Sequence, residues 1–308
     1  MSQLLNKIIS KLSKEKFIDQ IADEISGTEF NSLMLEIFRR RAESVSPAAV
    51  LKAFEENRFV RPSGADAIET RQVELEWLES AREKSFQPMV LSPLTPLGTC
   101  TAFGAVSQNK IISSLRGTEV VSDATNVLLL HMASVFKNNN DRCLQLNYST
   151  IHRMVRAQQF SNPEFSAHFS LFSLVSGGYD EGAFQFELDQ LNRHISLYLE
   201  MIKRYLPGKK LQLKFFLKTE DQNFNSLLSL STNVWSNMEC SIVPPDANRY
   251  YQRVQFKIYI EHKGMQVDIA DGGFVDWLQA TTGNRKLKAM ISAAGIELIQ
   301  KFISKKQQ

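Results

Sequence analysis

The side chains able to do chemistry in this sequence are few and scattered. Cys100, Cys143 and Cys240 are the only thiols. They lie far apart with no CxxC pair, so they offer neither a zinc framework nor a disulfide scaffold, and their number suits a reducing compartment. A reactive thiolate needs a neighbouring cation, and none stands near Cys100 in sequence, so that thiol reads as inert. Gly272-Gly273 offers different chemistry: two residues without Cβ let a backbone approach a small molecule closely, or simply form a turn. Arg39-Arg40-Arg41 could touch RNA or coat a solvated helix face. No GxxxxGK or GxGxxG occurs, which argues against P-loop and dinucleotide-binding chemistry. HExxH and GxSxG are absent as well.

The elements that must position these residues are built from an ordinary globular composition. Of 308 residues, 43% are hydrophobic and 22% charged, a profile that excludes disordered and collagen-like chains. The net charge of +3 is too small to argue for nucleic acid. No apolar run approaches the ~18 residues of a membrane span, and the N-terminus is no secretory signal, so a cytoplasmic protein is expected.

Leu4, Leu5, Ile8, Ile9 and Leu12 fall at helical spacing opposite lysines, a helix docked on the domain or one lying on a membrane surface. Ser46-Pro47 opens another helix, and Arg61-Pro62-Ser63-Gly64 breaks it. Residues 1–65 thus form a helical N-terminal extension, and 66–308 the main domain. There, helices are expected from Thr70 through Ala81, over 124–136 and over 188–205, with a last one after Ala294-Gly295. Strands are expected over 86–91, 118–121, 143–155, 169–175, 211–217 and 250–260, the last paired with 265–269 across Lys263-Gly264. A polar loop covers 158–167. The fold class is α+β, a mostly antiparallel sheet flanked by helices.

This order of elements resembles the catalytic core of class II aminoacyl-tRNA synthetases over about residues 66 to 304, and most of all the histidyl group. VELEWLESAREKSFQPMVLSPLTPL is similar to the family's first motif, which would place a homodimer interface around Pro93. LRGTEVVSDATNVLLLHMA puts Thr125 at a substrate-binding threonine. VRAQQFSNPEFSAHFSLFSLVSGG resembles the second motif. Its Arg156 would grip the α-phosphate of ATP, as charge building on a phosphate demands of a fixed guanidinium. Gln158 stands where the motif has glutamate, and His168 would lie over the adenine or be a loop histidine. The stretch from Arg249 to Leu278 matches a Tyr-Tyr-x-Gly-x-x-Phe strand followed by Gly-Gly-Arg-Tyr-Asp. That places Tyr250, Tyr251, Gly272, Gly273 and Asp276 around an amino acid. AAGIELI matches part of the third motif, with Glu297 as a candidate magnesium ligand.

The departures shape the functional expectation. Asp246 replaces the arginine that reads histidine, Phe274 and Val275 replace Arg-Tyr, and Leu298 replaces the arginine that clamps the γ-phosphate. A pocket without those polar groups cannot read an imidazole in the same way. Arg285, Lys286 or Lys288 could substitute as a phosphate clamp, or form a solvated turn. With the sequence stopping at Gln308, no anticodon-binding domain is expected. The resemblance therefore implies a degenerate synthetase paralogue that does not charge tRNA. It would bind an amino acid or related metabolite and work in a regulatory or complex-forming role with a protein partner. The regulatory subunit of ATP phosphoribosyltransferase is a paralogue of that kind. The alternative is an adenylate-forming ligase using ATP and magnesium, with Arg156 and Glu297 catalytic. No other metal, no tightly bound cofactor and no membrane partner is expected.

Overall fold

The structure, a computed structural model, describes residues 3–12, 16–104, 106–157, 167–235, 238–244, 250–262 and 264–304. It opens with helix α1 (Gln3–Leu12), a turn α2 (Phe17–Asp19) running into π-helical Gln20–Glu24, then α3 (Gly27–Glu43) and α4 (Pro47–Glu56). Local signals make these helices. Ser26 and Glu29 form a reciprocal capping box on α3, and Ser46 caps α4 with Pro47 at its first position. None of the four helices buries a residue. Leu4, Ile8 and Leu12 of α1 are exposed, and Leu5 and Ile9 of the same stripe are half-buried. Arg39 and Arg40 pair with Glu36 and Glu43 of their own helix.

The main domain follows in the order α5 (Ala67–Glu83), β1 (Gln87–Pro88), β2 (Leu94–Pro96), α6 (Thr99–Gly104), β3 (Thr118–Val120) and α7 (Ala124–Lys137). Then come β4 (Gln145–Val155), β5 (His168–Tyr179), α8 (Gln185–Tyr205), β6 (Leu211–Leu217), α9 (Gln222–Ser231) and β7 (Glu239–Val243). The chain closes with β8 (Gln252–His262), β9 (Met265–Val275), α10 (Trp277–Thr282), β10 (Leu287–Gly295) and α11 (Ile296–Ser304). Eight strands form one sheet in the order β1-β4-β5-β10-β9-β8-β6-β7. Its interior pairs are antiparallel, and only the edge pairs β1–β4 and β6–β7 run parallel. The expected antiparallel α+β layout is therefore the observed one.

Helices α5, α8, α9 and α11 cover one face, with Trp77, Phe172, Tyr198, Phe215 and Phe256 at the centre of its core. Helices α7 and α10 cover the other through Leu128, Met132, Trp277 and Leu278. Among the described residues, no helix is long and apolar enough to cross a membrane.

Several elements differ from the sequence reading. The strand expected over 86–91 pairs only at Gln87–Pro88, with one further hydrogen bond from the Met89 N–H to the Ser149 carbonyl oxygen at 2.8 Å. Strand β10 is not apparent in the sequence at all. LKAMISAAG is alanine-rich and mostly buried, so it shows neither strong β propensity nor alternation. It nonetheless sits between β5 and β9 and joins the two halves of the sheet. Strand β9 continues past 269 to Val275, so Gly272-Gly273 is the middle of a central strand and not a turn.

Both glycines are there because neighbours come too close for a side chain. A Cβ on Gly272 would lie 2.4 Å from the Ser292 Cβ, 2.6 Å from the Ile291 carbonyl oxygen and 2.7 Å from the Phe256 ring. A Cβ on Gly273 would lie 2.6 Å from the Val254 carbonyl oxygen and 2.7 Å from the Tyr251 ring. Backbone atoms of a paired strand cannot step aside cheaply. Gly272→Ala is therefore expected to destabilise the domain by about 3 kcal/mol, which chemical denaturation with circular dichroism would measure.

Candidate functional site

On the α7 face the cleft is assembled from the ends of four elements. Ser122-Asp123 forms the start of α7, where the Asp123 carboxylate accepts hydrogen bonds from the Thr125 N–H at 3.0 Å and the Thr125 hydroxyl at 2.7 Å. Arg156 leaves the end of β4. Its Nε donates to the Ser122 carbonyl oxygen at 3.4 Å, and its guanidinium lies 5.3 Å from the centre of the Phe169 ring on β5. Tyr250 and Tyr251 lead into β8, and Asp271 faces them from β9. The Tyr250 hydroxyl donates to Asp123 at 3.3 Å, and the Tyr251 hydroxyl donates to Asp271 at 3.2 Å.

Two adjoining cavities, about 390 and 1130 Å³, meet at this cluster; Asp123, Arg156, Tyr250, Tyr251 and Asp271 line both. The smaller extends to Phe169, Glu297, Leu298 and Lys301. The larger extends to α6 and α10 and includes Lys110, Asp276 and Trp277. The electrostatics centre on Asp271. Burial, with Asp268 nearby, pushes its carboxyl up to about 6 against the opposing pull of Lys257 and the Tyr251 hydrogen bond. Burial, together with the neighbouring Asp123 and Asp271, likewise holds both tyrosine hydroxyls well above their ordinary range. Lys257 is itself paired with Asp268 at 2.6 Å.

The sequence candidates divide into those brought to the cleft and those kept from it. Arg156, Thr125, Tyr250 and Tyr251 meet there, and Glu297 lies at the rim of the smaller cavity. Its carboxylate is already engaged: one oxygen takes the Arg153 guanidinium at 2.7 Å and the other accepts from the Ser63 hydroxyl at 3.4 Å. Arg153 lies three residues before Arg156, so alternation sets it on the other strand face, the side that α11 covers. His168 lines neither cavity. Its Nδ1 takes the Arg153 Nε–H at 2.8 Å and its Nε2 meets the Arg61 carbonyl oxygen at 2.5 Å, so it ties the N-terminal extension to the strand end.

Gly272 and Gly273 line neither cavity, since the rings of Phe256 and Tyr251 occupy the space beside them. Asp276 is exposed at the start of α10, at the far wall of the larger cavity. Lys288 pairs with Asp180 and Glu187 at the start of β10, the end of that strand away from Glu297, so it cannot replace a phosphate clamp there. Gln158 and Asp246 lie outside the described residues. Among the described residues, no three His, Cys, Asp or Glu side chains are grouped to hold a metal ion.

Sequence reasoning missed Asp123 and Asp271, the two carboxylates at the centre. The available signal was the position of Asp271 inside the apolar run of β9 and of Asp123 as a helix cap. It also missed Arg253, which occupies the glycine place of the Tyr-Tyr-x-Gly pattern. The backbone there is left-handed, with φ at 55°. Glu187 at 3.0 Å and the Phe184 ring at 5.0 Å hold the Arg253 side chain in that conformation. The run around Cys100 gains an account as well. Glu119, wholly buried, accepts the N–H groups of Gly98 and Cys100, each at 2.9 Å, and so fixes the turn into α6. Burial raises the Cys100 thiol, in keeping with an inert residue.

This sheet and its helices are those of the class II aminoacyl-tRNA synthetase-like fold. Solved structures of the histidyl type share it. An ATP phosphoribosyltransferase regulatory subunit/histidyl-tRNA synthetase from Bacillus halodurans superposes with a TM-score of 0.56 at 14% identity, covering 80% of this chain and 82% of that one. The apo histidyl-tRNA synthetase of S. aureus gives 0.58 at 12% identity, covering 80% and 70%. A histidine–tRNA ligase subunit from Alicyclobacillus acidocaldarius gives 0.56 at 11% identity, covering 80% and 98%. No protein-family model matches the sequence, and a search of curated proteins finds no match. At these identities the likeness establishes the fold.

The raised Asp271 carboxyl has a pH signature. The native state keeps this proton up to about pH 6, whereas the unfolded chain releases it near its ordinary value of 3.8. Stability therefore falls as pH rises from about 4 to 6 and stays reduced above. Asp271→Asn is expected to unfold like the parent at pH 4 and to be more stable by about 2 kcal/mol at pH 7. Urea titrations at the two pH values would show it.

Proposed function

We propose that the chain is a synthetase-fold paralogue that does not charge tRNA. In this reading it binds an amino acid or related metabolite in the cleft between Arg156 and the Tyr250–Tyr251 pair, and acts in a regulatory or complex-forming role. The observation that carries this reading is the state of Glu297 and Leu298. The carboxylate is neutralised by Arg153 and bonded to Ser63 from the N-terminal extension, and a leucine occupies the place of the phosphate clamp. The cleft meanwhile keeps a cation in Arg156 and a carboxylate in Asp271, complementary charges for a zwitterion.

The adenylate-forming alternative needs ATP and magnesium in the smaller cavity. Arg156 would hold the α-phosphate, and Glu297 would have to release Arg153 to hold the metal. Leucine donates no hydrogen bond, so the γ-phosphate would still lack its clamp. Magnesium-dependent exchange of pyrophosphate into ATP, run across all the protein amino acids, separates the two readings. The expected result is no exchange with any of them, together with a raised melting temperature with at least one amino acid or relative. Exchange dependent on a single amino acid, abolished by Arg156→Ala, would establish adenylation instead.

We also propose a homodimer through the segment around Pro93. Val90, Leu94 and Leu97 are exposed along it, with Val90 at 100%. A second copy would cover that apolar row. Light scattering is expected to give the dimer mass, and Val90→Glu to shift the protein to monomer.

A further inference from the structure

The N-terminal extension carries apolar surface that the described residues leave uncovered. All ten residues of α4 are exposed, and seven of them are apolar. Val50, Leu51 and Phe54 share one face at the i, i+1, i+4 spacing, with Leu51 at 58% exposure. On α3, Leu33, Leu35, Ile37 and Phe38 are exposed as well, and Val45 and Val60 flank α4. A helix as short as α4 is marginal in water and takes its stability from burying an apolar face. Ser46 caps it, yet it buries no residue. Apolar surface of this kind marks a contact with another molecule.

Three observations say which molecule. The first is charge. Helices α3 and α4 together carry four basic and five acidic side chains. Arg39 and Arg40 are already paired with Glu36 and Glu43. A nearly neutral surface draws neither a nucleic acid nor an anionic membrane, and it does not repel its own copy.

The second is continuity. Asn31 Oδ1 of α3 accepts the Arg116 N–H at 2.8 Å. The next residue, Gly117, accepts the Leu97 N–H through its carbonyl oxygen at 2.9 Å, and β3 pairs with β2 directly beside it. Helix α3 is thus anchored at the same Leu94–Leu97 segment that carries the homodimer proposed above. The third is size. A stable interface takes about 20–30 residues from each partner. The Pro93 segment, with Val90, Leu94 and Leu97 exposed, is too short to supply them alone. Helices α3 and α4 provide the rest.

We propose that α3 and α4 are the arm of a homodimer: a second copy of this chain covers their apolar faces, in one interface continuous with the Pro93 segment. This deepens the homodimer reading and rests on the chain forming a dimer. A two-fold interface uses the same patch on both copies, so both arms are covered at once.

The test uses the full chain and light scattering over a concentration series. The parent is expected at the dimer mass. Leu51→Glu combined with Phe54→Glu is expected to raise the dimer dissociation constant about hundredfold, the effect of losing central apolar anchors. Leu51→Ala combined with Phe54→Ala keeps helix propensity and is expected to weaken the dimer about tenfold. Far-ultraviolet circular dichroism reports the fold of each variant. A dimer that Val90→Glu dissociates and both arm variants leave intact would overturn the arm and keep the Pro93 interface. The reverse pattern would keep the arm and remove the Pro93 segment from the interface. A parent that stays monomeric at every concentration would overturn both, and binding of that monomer to vesicles of phosphatidylcholine and phosphatidylserine would assign the exposed faces to a lipid surface instead.

Discussion

The close approach of β8, β9 and β10 at Gly272-Gly273 is the constraint on which the rest of the site depends. With no Cβ on either residue, the Phe256 ring fills one face of the strand and the Tyr251 ring the other. Seating Tyr251 there points its hydroxyl at Asp271 and sets Tyr250 edge-on beside it, within reach of Asp123. One packing event thus fixes two aromatic walls and two carboxylates. The left-handed turn at Arg253 is the companion cost. It lies within the bulge between Gln252 and Gln255, and the Glu187 ion pair and the Phe184 ring offset its strain.

The cleft is polarised along its length. At the α11 end, charges are paired within the protein: Arg153 with Glu297, and Ser63 and the Arg61 carbonyl bonded across from the N-terminal extension. At the α10 end aromatic rings share the wall with acidic and basic side chains, and a buried amide oxygen lacks a donor. Paired groups resist a new partner because binding must first break an existing contact, whereas unpartnered groups gain by one. That contrast distinguishes the two ends of the cleft. It also joins the extension to the site, since the segment preceding α5 touches both Glu297 and His168.

How far the site could be read from the sequence follows from what sets each residue's position. Arg156 and the tyrosine pair were named through the resemblance to the second motif and to the Tyr-Tyr-x-Gly pattern, and the fold brings them to one cleft. Asp276 was read as a ligand group because it follows the paired glycines, and the strand carries it to the start of α10, at the far wall of the larger cavity. The glycines themselves were read as a ligand cradle, and the neighbours that occupy their faces come from residues 254, 256, 291 and 292, which no local pattern identifies. Asp271 was overlooked because an isolated carboxylate in an apolar strand gains meaning only from the rings and acids around it.

The sequence by itself determined the helices with strong caps, the strands with clear alternation, the antiparallel α+β class and the resemblance to the class II core. Those follow from periodicity and from capping chemistry acting over a few residues. Only the tertiary structure decided the place of β10, the engagement of Glu297 by Arg153 and Ser63, and the gathering of four rings along one cavity. Each of these joins residues far apart in the chain, and their contacts exist only once the sheet has brought its distant strands together.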